Sequence, residues 1–410
     1  MTGEHSAARF RASDAATGSP TASTTVIAED VIQRVQRRLV DEGADPNPTA
    51  LARALRAESG VLLTDSEMLR QIRMLQRELV GAGPLSELLA DPATTDVVVN
   101  APGDVRVDRG AGWQSTGVTF PDEAAVASLR ASRCTAAGRR LDDAHPHVDA
   151  RLADGTRLHA VLAPLAASGT CLSLRVLRPV QHDLVALRSS GTLPGVTHPT
   201  LCAVLRAALS FVVSGGTGSG KTTLLSALLA AVPADERIVT VEDAEELRPP
   251  HAHIVRLVAR QANVEGAGVI SVRDLVRQAL RMRPDRIVVG EVRGAEVVDL
   301  LAALNTGHDG SAGTLHANTA ADVPARFEAL AALGGIGRDA VHAQLAGAVR
   351  VVMHIRREGQ GRVLHEIAVL RRDSAGLVTA QPAIVAGRPD GAGAAVLAHW
   401  LADRGEPVPW

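Results

Sequence analysis

The sequence contains no tyrosine, four phenylalanines and three tryptophans in 410 residues. Aromatic stacking therefore cannot organise an interior of this size, and the core has to be assembled from Ala, Val and Leu. Lysine is scarcer still: Lys221 is the only one, so 42 of the 43 basic residues are arginine. The three cysteines, Cys134, Cys171 and Cys202, lie far apart with no C-x-x-C pair. That spacing argues against a zinc module or a disulfide framework, and they read as small buried hydrophobes in a reducing compartment. No apolar run approaches the ~18 residues of a membrane span, and the segment MTGEHSAARF lacks the hydrophobic stretch of a signal peptide. The expected location is cytosolic, with membrane association only through partners. A net charge of −2 gives no global electrostatic footprint for nucleic acid or an anionic bilayer.

What the chain does have is the stretch from Phe211 to Leu228, FVVSGGTGSGKTTLLSAL. An apolar run suited to a buried strand passes into Gly215, Gly216, Thr217, Gly218, Ser219, Gly220, Lys221, Thr222 and Thr223, and an Ala/Leu-rich helical pattern follows. This is G-x-x-x-x-G-K-[ST] between a strand and a helix. Glycines let the backbone wrap a phosphate closely, so that several N–H groups converge on its oxygens. The helix N-terminus adds partial positive charge, the Lys221 ammonium reaches the β- and γ-phosphates, and the Thr222 hydroxyl can ligate Mg²⁺. A glycine-rich linker carrying a lysine by accident would not put the sole lysine of the chain in this loop. The stretch predicts binding of a nucleoside triphosphate.

Along the chain, residues 1 to about 25 are rich in Ser, Thr, Ala and Gly and read as a disordered tail. A helical segment follows over 26–83, with helices from Val26 to Val40, over TALARALRAESG, and from Asp65 to Val80. Period-two patterning then predicts a small α/β domain over 84–178: a hairpin from Asp96 to Gly110, extended by Trp113 to Phe120, a helix from Asp122 to Ala137, and strands in HVDARLADGTRLHAVLAP and TCLSLRVLRP. Arg151, Arg157 and Arg175 sit on or beside these strands, where a solvated strand arginine is the ordinary reading. Residues 179–200 form a turn-rich linker, and 201–372 the nucleotide domain. Little can be read from the extension over 373–410.

Two further strands of the nucleotide domain end in acids. Ile238 to Val241 runs into Glu242 and Asp243, and Arg286 to Gly290 delivers Glu291, Val292 and Arg293. Acids at the carboxyl ends of buried strands stand where doubly wound sheets bind ligands. A carboxylate there can hold Mg²⁺ through water or polarise an attacking water. His316, on the strand SAGTLHAN, reads equally well as a γ-phosphate sensor and as a satisfied polar residue.

These strings together resemble the type II/type IV secretion ATPase superfamily, and within it the CpaF-like ATPases of Tad pili. The resemblance spans about residues 26 to 372 and rests on GAGPLSELLADPATTDVVVNAPGDVRV, DARLADGTRLHAV, SGGTGSGKTTLL, TVEDAEEL, ALRMRPDRIVVGEVRGAE and NTGHDGSAGTLHAN. It implies a C-terminal RecA-like P-loop domain preceded by a smaller α/β N-terminal domain and N-terminal helices. Gly215 to Thr222 match the Walker A motif, and Glu242 and Asp243 fall in the Asp box that orders Mg²⁺ and water. Glu291 matches the Walker B glutamate and His316 the His-box histidine. Arg151, Arg157 and Arg175 lie where similar proteins bring arginines to the phosphates, with the one that reaches the γ-phosphate left open. The resemblance further implies ATP and Mg²⁺ as cofactors and a hexameric ring at the cytoplasmic face of the inner membrane that drives a platform protein. The tetracysteine zinc module of the type II branch is missing, which favours the Tad branch. A nucleic-acid translocase and a nucleotide-gated scaffold are the competing readings. The first lacks aromatic stacking residues and a basic stripe to support it.

Overall fold

Alternation of buried and more exposed positions marks five of the six strands that follow the N-terminal helices, and the computed structural model folds all six into one antiparallel sheet. It describes residues 31, 34–35, 38, 48–58, 64–79, 83–137, 139–152, 154–176, 182–263, 266–359 and 361–410. The chain divides into two compact units, 1–87 and 88–410. The expected tail over 1–25 and most of the first expected helix lie outside the described residues. In the first unit, helices Pro48–Glu58 and Asp65–Leu79 pack through Leu51, Leu55, Met68, Ile72 and Leu75. A capping box starts the second of these: Thr64 N–H donates to Glu67 Oε2 at 2.9 Å, and Glu67 N–H to Thr64 Oγ1 at 3.4 Å.

The second unit begins with β1 (Asp96–Ala101), β2 (Asp104–Asp108), β3 (Trp113–Ser115), β4 (His147–Arg151), β5 (Arg157–Val161) and β6 (Cys171–Arg175), in the order β3-β2-β1-β6-β5-β4. Val97, Val99, Ala150, Leu158, Leu172 and Leu174 form its buried face. β3 is shorter than the expected Trp113 to Phe120, because the Thr116 hydroxyl bonds Val105 O and then accepts from Val118 N–H, turning the chain away. The expected helix appears as Glu123–Ala136. Only Cys134 is buried; Cys171 and Cys202 are partly exposed, and all three are free thiols.

The second sheet has nine strands: β7 (Phe211–Ser214), β8 (Ile238–Glu242), β9 (Ile254–Val258), β10 (Arg286–Val292), β11 (Ala312–Leu315), β12 (Val351–Glu358), β13 (Gly361–Arg372), β14 (Val378–Val385) and β15 (Arg388–Pro389). Their order is β15-β14-β13-β12-β7-β11-β10-β8-β9, with β12 through β9 parallel and β13 to β15 antiparallel. Helices cover both faces, so the central strands are continuous apolar runs. Phe211 and Val213 face one layer, with helices Thr197–Arg206, Lys221–Ala230 and Gly391–Asp403. Val212 faces the other, with helices Val272–Ala279, Glu296–Leu304, Val323–Leu333 and Arg338–Ala348. The extension beyond Asp373, unread in the sequence, thus adds two strands and a helix to this body, with Leu397 and Leu401 fully buried. The α/β class with a P-loop domain behind a smaller α/β domain is the architecture present.

Arg286, at the start of β10, is fully buried. Its Nε and Nη2 meet Glu236 at 2.5 and 3.0 Å, and Nη2 also donates to Leu205 O at 2.8 Å. A charge at that depth is tolerable only when paired and hydrogen-bonded, and here it ties three chain segments at the sheet end opposite the P-loop.

Candidate nucleotide-binding site

Parallel order brings the carboxyl ends of β7, β11, β10 and β8 side by side, and these ends carry the P-loop, His316, Glu291 and Glu242 in that sequence. Adjacent strands lie about 4.8 Å apart, so residues separated by up to a hundred positions become neighbours. The first helical turn after the loop starts at Gly220, whose φ of +98° places it in the left-handed region that side chains disfavour. Around Gly216 and Gly218 nothing lies within 4 Å of where a Cβ would be, which leaves open space against the loop. Lys221 folds back over it: Nζ donates to Gly215 O at 3.1 Å and Gly216 O at 2.9 Å. Burial pushes its pKa down, with Glu291 opposing. The Ser219 hydroxyl is buried and has no protein partner, a polar atom left for a ligand inside the cradle.

Glu291 reaches the site through a β-bulge. Val289 pairs with Gly313 and Val292 with Leu315, so β10 carries one residue more than β11 across this interval. The Thr314 hydroxyl donates to the freed Gly290 carbonyl at 2.6 Å. Glu291 Oε1 lies 2.8 Å from His316 Nε2, and Oε2 accepts from Arg293 Nη2 at 2.5 Å. Burial would raise the Glu291 pKa, but Arg293, His316 and Lys221 together hold it below the ordinary value. Burial and then Lys221 depress the His316 pKa, while Glu291 opposes them. The Lys221 ammonium, which can only donate, lies 3.4 Å from the same His316 Nε2.

Glu242 is buried, and its carboxylate accepts from the N–H groups of Glu246 at 3.0 Å and Leu247 at 3.1 Å. Desolvation lifts its pKa to about 7 despite those bonds. In this arrangement it pins the loop that follows β8, and Asp243 beside it is exposed. That loop carries two carboxylates which reading the sequence residue by residue did not single out. Glu246 lies 3.3 Å from the Thr222 hydroxyl and 3.2 Å from Arg157 Nη2. Glu245 meets Arg151 at 3.0 Å, and also Arg248 and Arg256. Their only signal was the acid-rich string EDAEEL.

The three arginines form one row. Arg151 pairs with Arg157, Arg157 with Arg175, and Arg175 with Asp96 across four adjacent strands. Like charges directly opposite one another repel, and Glu245, Glu246 and Asp96 each take one of them. Arg157 lines the small recess shared by Thr222, Asp243 and Glu291. All three line the adjoining cleft of about 570 Å³, which Asp243 and Arg293 also border, and of the three only Arg157 reaches the recess as well. The structure therefore brings Lys221, Thr222, His316, Glu291, Arg293, Asp243 and Arg157 to one place, while Arg151 pairs with Glu245 and Arg175 with Asp96 outside that recess. Among the described residues no cluster of three or more His, Cys, Asp or Glu could hold a metal by itself. The donor set suits Mg²⁺, which is ordinarily held by one or two protein groups together with phosphate oxygens and water.

A family profile described as type II/IV secretion system protein matches residues 78–379. A putative conjugal transfer protein of Mycobacterium tuberculosis is 59% identical over 318 residues, covering 76% of this chain and 90% of that one. The type IV secretion system protein VirB11 of Brucella suis is 29% identical over 327 residues, covering 69% and 88%. Among solved structures, the pilus retraction motor PilT with bound ADP superposes at a TM-score of 0.50 with 21% identity, over 78% of this chain and 89% of that one. The Brucella suis VirB11 ATPase in complex with sulphate is 26% identical, with a TM-score of 0.38, over 71% and 97%.

Proposed function

This chain belongs to the type II/IV secretion system protein family, and from that premise we propose that it is an ATP-hydrolysing motor of the CpaF-like, Tad-pilus branch. The observation that carries the reading is the alignment of four strand ends. They set the imidazole of His316 3.4 Å from the P-loop Lys221 ammonium and 2.8 Å from the Glu291 carboxylate. Bound ATP supplies the phosphoryl bond that is broken, and Mg²⁺ offsets charge on its β- and γ-oxygens. The backbone of Gly215 to Gly220 would cradle the phosphates, and Lys221 would exchange its two loop carbonyls for phosphate oxygens. Thr222 would hold the metal, with Asp243 and Glu291 acting through water.

Glu291, kept ionised by its cationic neighbours, is the group that orients and deprotonates water. His316 holds that carboxylate and faces the γ-phosphate position. Arg157 is the arginine best placed to follow the triphosphate, because it shares the recess with Thr222 and Glu291. Its partner Glu246 also touches Thr222, so nucleotide arrival would compete for both contacts at once and couple the N-terminal sheet to the P-loop domain. We assign the working form as a homohexameric ring at the cytoplasmic face of the inner membrane, acting on a platform protein. Among the described residues no helix is long and apolar enough to cross a membrane.

The test is Mg²⁺-dependent phosphate release by the purified chain, with light scattering before and after a non-hydrolysable ATP analogue. Turnover that vanishes in Glu291→Gln, and a nucleotide-dependent ring, support the motor. Turnover no faster than that of Glu291→Gln would make the chain a nucleotide-gated scaffold. Turnover stimulated by single-stranded DNA and lost steeply with salt would assign it to nucleic-acid transport.

A further inference from the structure

A second concavity of about 480 Å³ lies at the opposite end of the nine-stranded sheet. Arg350, on its wall, immediately precedes β12, whose first residue Val351 pairs with Phe211, the first residue of β7. The whole length of β7 therefore separates this groove from the P-loop. Ala395, Val396 and Trp400 line it as apolar surface, and Arg350, Arg371 and Arg372 as charge. Arg350 stacks over the Trp400 ring, 5.2 Å from its centroid, a cation–π contact that holds the guanidinium in place.

All three guanidinium groups are exposed, and among the described residues none makes an ion pair with a carboxylate. Arg371 and Arg372 are consecutive on a strand, so they lean to opposite sides. The groove consequently runs across the lower rim of the sheet, between the Arg338–Ala348 and Gly391–Asp403 helices, rather than forming a closed cup.

The chemistry of the lining selects among anions. Besides the three guanidinium groups the polar lining is the His399 imidazole, paired with Asp403 at 3.3 Å, and a chain of net charge −2 lacks the basic excess with which proteins gather a nucleic-acid backbone. The volume far exceeds that of an inorganic anion. A carboxylate fork opposite each guanidinium, with aliphatic side chains lying on Val396 and Trp400, satisfies both halves of the surface. Val396 and Trp400 belong to the helix beyond residue 379, where the family match ends. Half of the groove is therefore built by chain outside the shared family region.

We propose that this groove docks an extended acidic segment of a partner protein, its carboxylates clamped by Arg350, Arg371 and Arg372 and its apolar side chains resting on Trp400. The probe is a fluorescein-labelled peptide of three Glu-Glu-Leu repeats, followed by anisotropy on the full chain, with a Gln-Gln-Leu peptide as control. Saturable binding of the glutamate peptide is expected, weakened at least about tenfold in an Arg371→Glu/Arg372→Glu variant and by added salt, because charge-assisted contacts carry it. A fluorescent ATP analogue should bind that variant as it binds the wild type, since the P-loop is remote. If the double variant fails this control, Trp400→Ala and Arg372→Gln replace it, each with the same expected direction. The proposal is overturned if the glutamate peptide does not saturate, if the glutamine peptide binds equally, or if the variants bind like wild type. It is equally overturned if arginine-dependent binding appears only with single-stranded DNA or with phosphatidylglycerol vesicles.

Discussion

Glu291 Oε1 and His316 Nε2 lie 2.8 Å apart, with the Lys221 ammonium 3.4 Å from that same nitrogen. A bulge in β10 and the end of β11 are needed to create this contact, which fixes the carboxylate beside the phosphate loop. Glu291→Gln keeps the shape and removes the base. It should bind ATP with unchanged affinity and lose turnover by about a hundredfold or more, the usual worth of a positioned general base. Single-turnover phosphate release, paired with a fluorescent-nucleotide titration, separates the two effects.

Gly290 is where the Glu242 side chain crosses β10. A Cβ added there would lie 2.7 Å from Glu242 Cγ and 3.0 Å from its Oε1. Gly290→Ala should therefore push Glu242 off the N–H groups of Glu246 and Leu247 and cost about 1–3 kcal/mol by overpacking. Urea midpoints compared with wild type check it. An unchanged midpoint would mean that Glu242 has room to move.

The Glu242 pKa of about 7 stands above its ordinary 4.5. Between those two values the folded chain binds more protons than the unfolded one, so stability falls as pH rises through the window and is level above it. The full effect is about 3 kcal/mol. In protein free of nucleotide and Mg²⁺, denaturant midpoints should decline from about pH 5 to about pH 7.5, and Glu242→Gln should flatten that slope. A wild-type profile already flat there would show that Glu242 is ionised in the fold.

The arginine row predicts unequal roles. Arg157→Ala should lower kcat about tenfold to a hundredfold with nucleotide affinity mostly kept, the pattern of a contact made in the transition state. Arg175→Ala, which gives up an exposed pair with Asp96, should leave kcat unchanged. Steady-state kinetics of both variants decide the matter, and equal losses would contradict the assignment.

Much of this was legible in the sequence because local signals and tertiary position agree at the P-loop. A strand buried on both faces reads as FVVS, and the loop glycines and the sole lysine follow at fixed spacing. The acids ending β8 and β10 were legible for the same reason. Two things were not. The pairing of Glu246 with both Thr222 and Arg157 depends on a loop folding back onto Glu242, which no periodicity records. The segment beyond Asp373 interleaves its large apolar residues with Ala, Gly and Pro, so no long periodic run marks it. Its strands and helix acquire their form from pairing with β13 and from burying Leu397 and Leu401, a tertiary preference that local propensity does not express.

The most direct test of the account is equilibrium binding of a fluorescent ATP analogue to wild type and to Lys221→Ala, with both proteins shown to be folded by their denaturant midpoints. The account predicts saturable binding to the wild type and a loss of affinity of at least about tenfold in the variant, since the only lysine ammonium in the chain is removed from the phosphate loop. Equal affinity in the two proteins would contradict it.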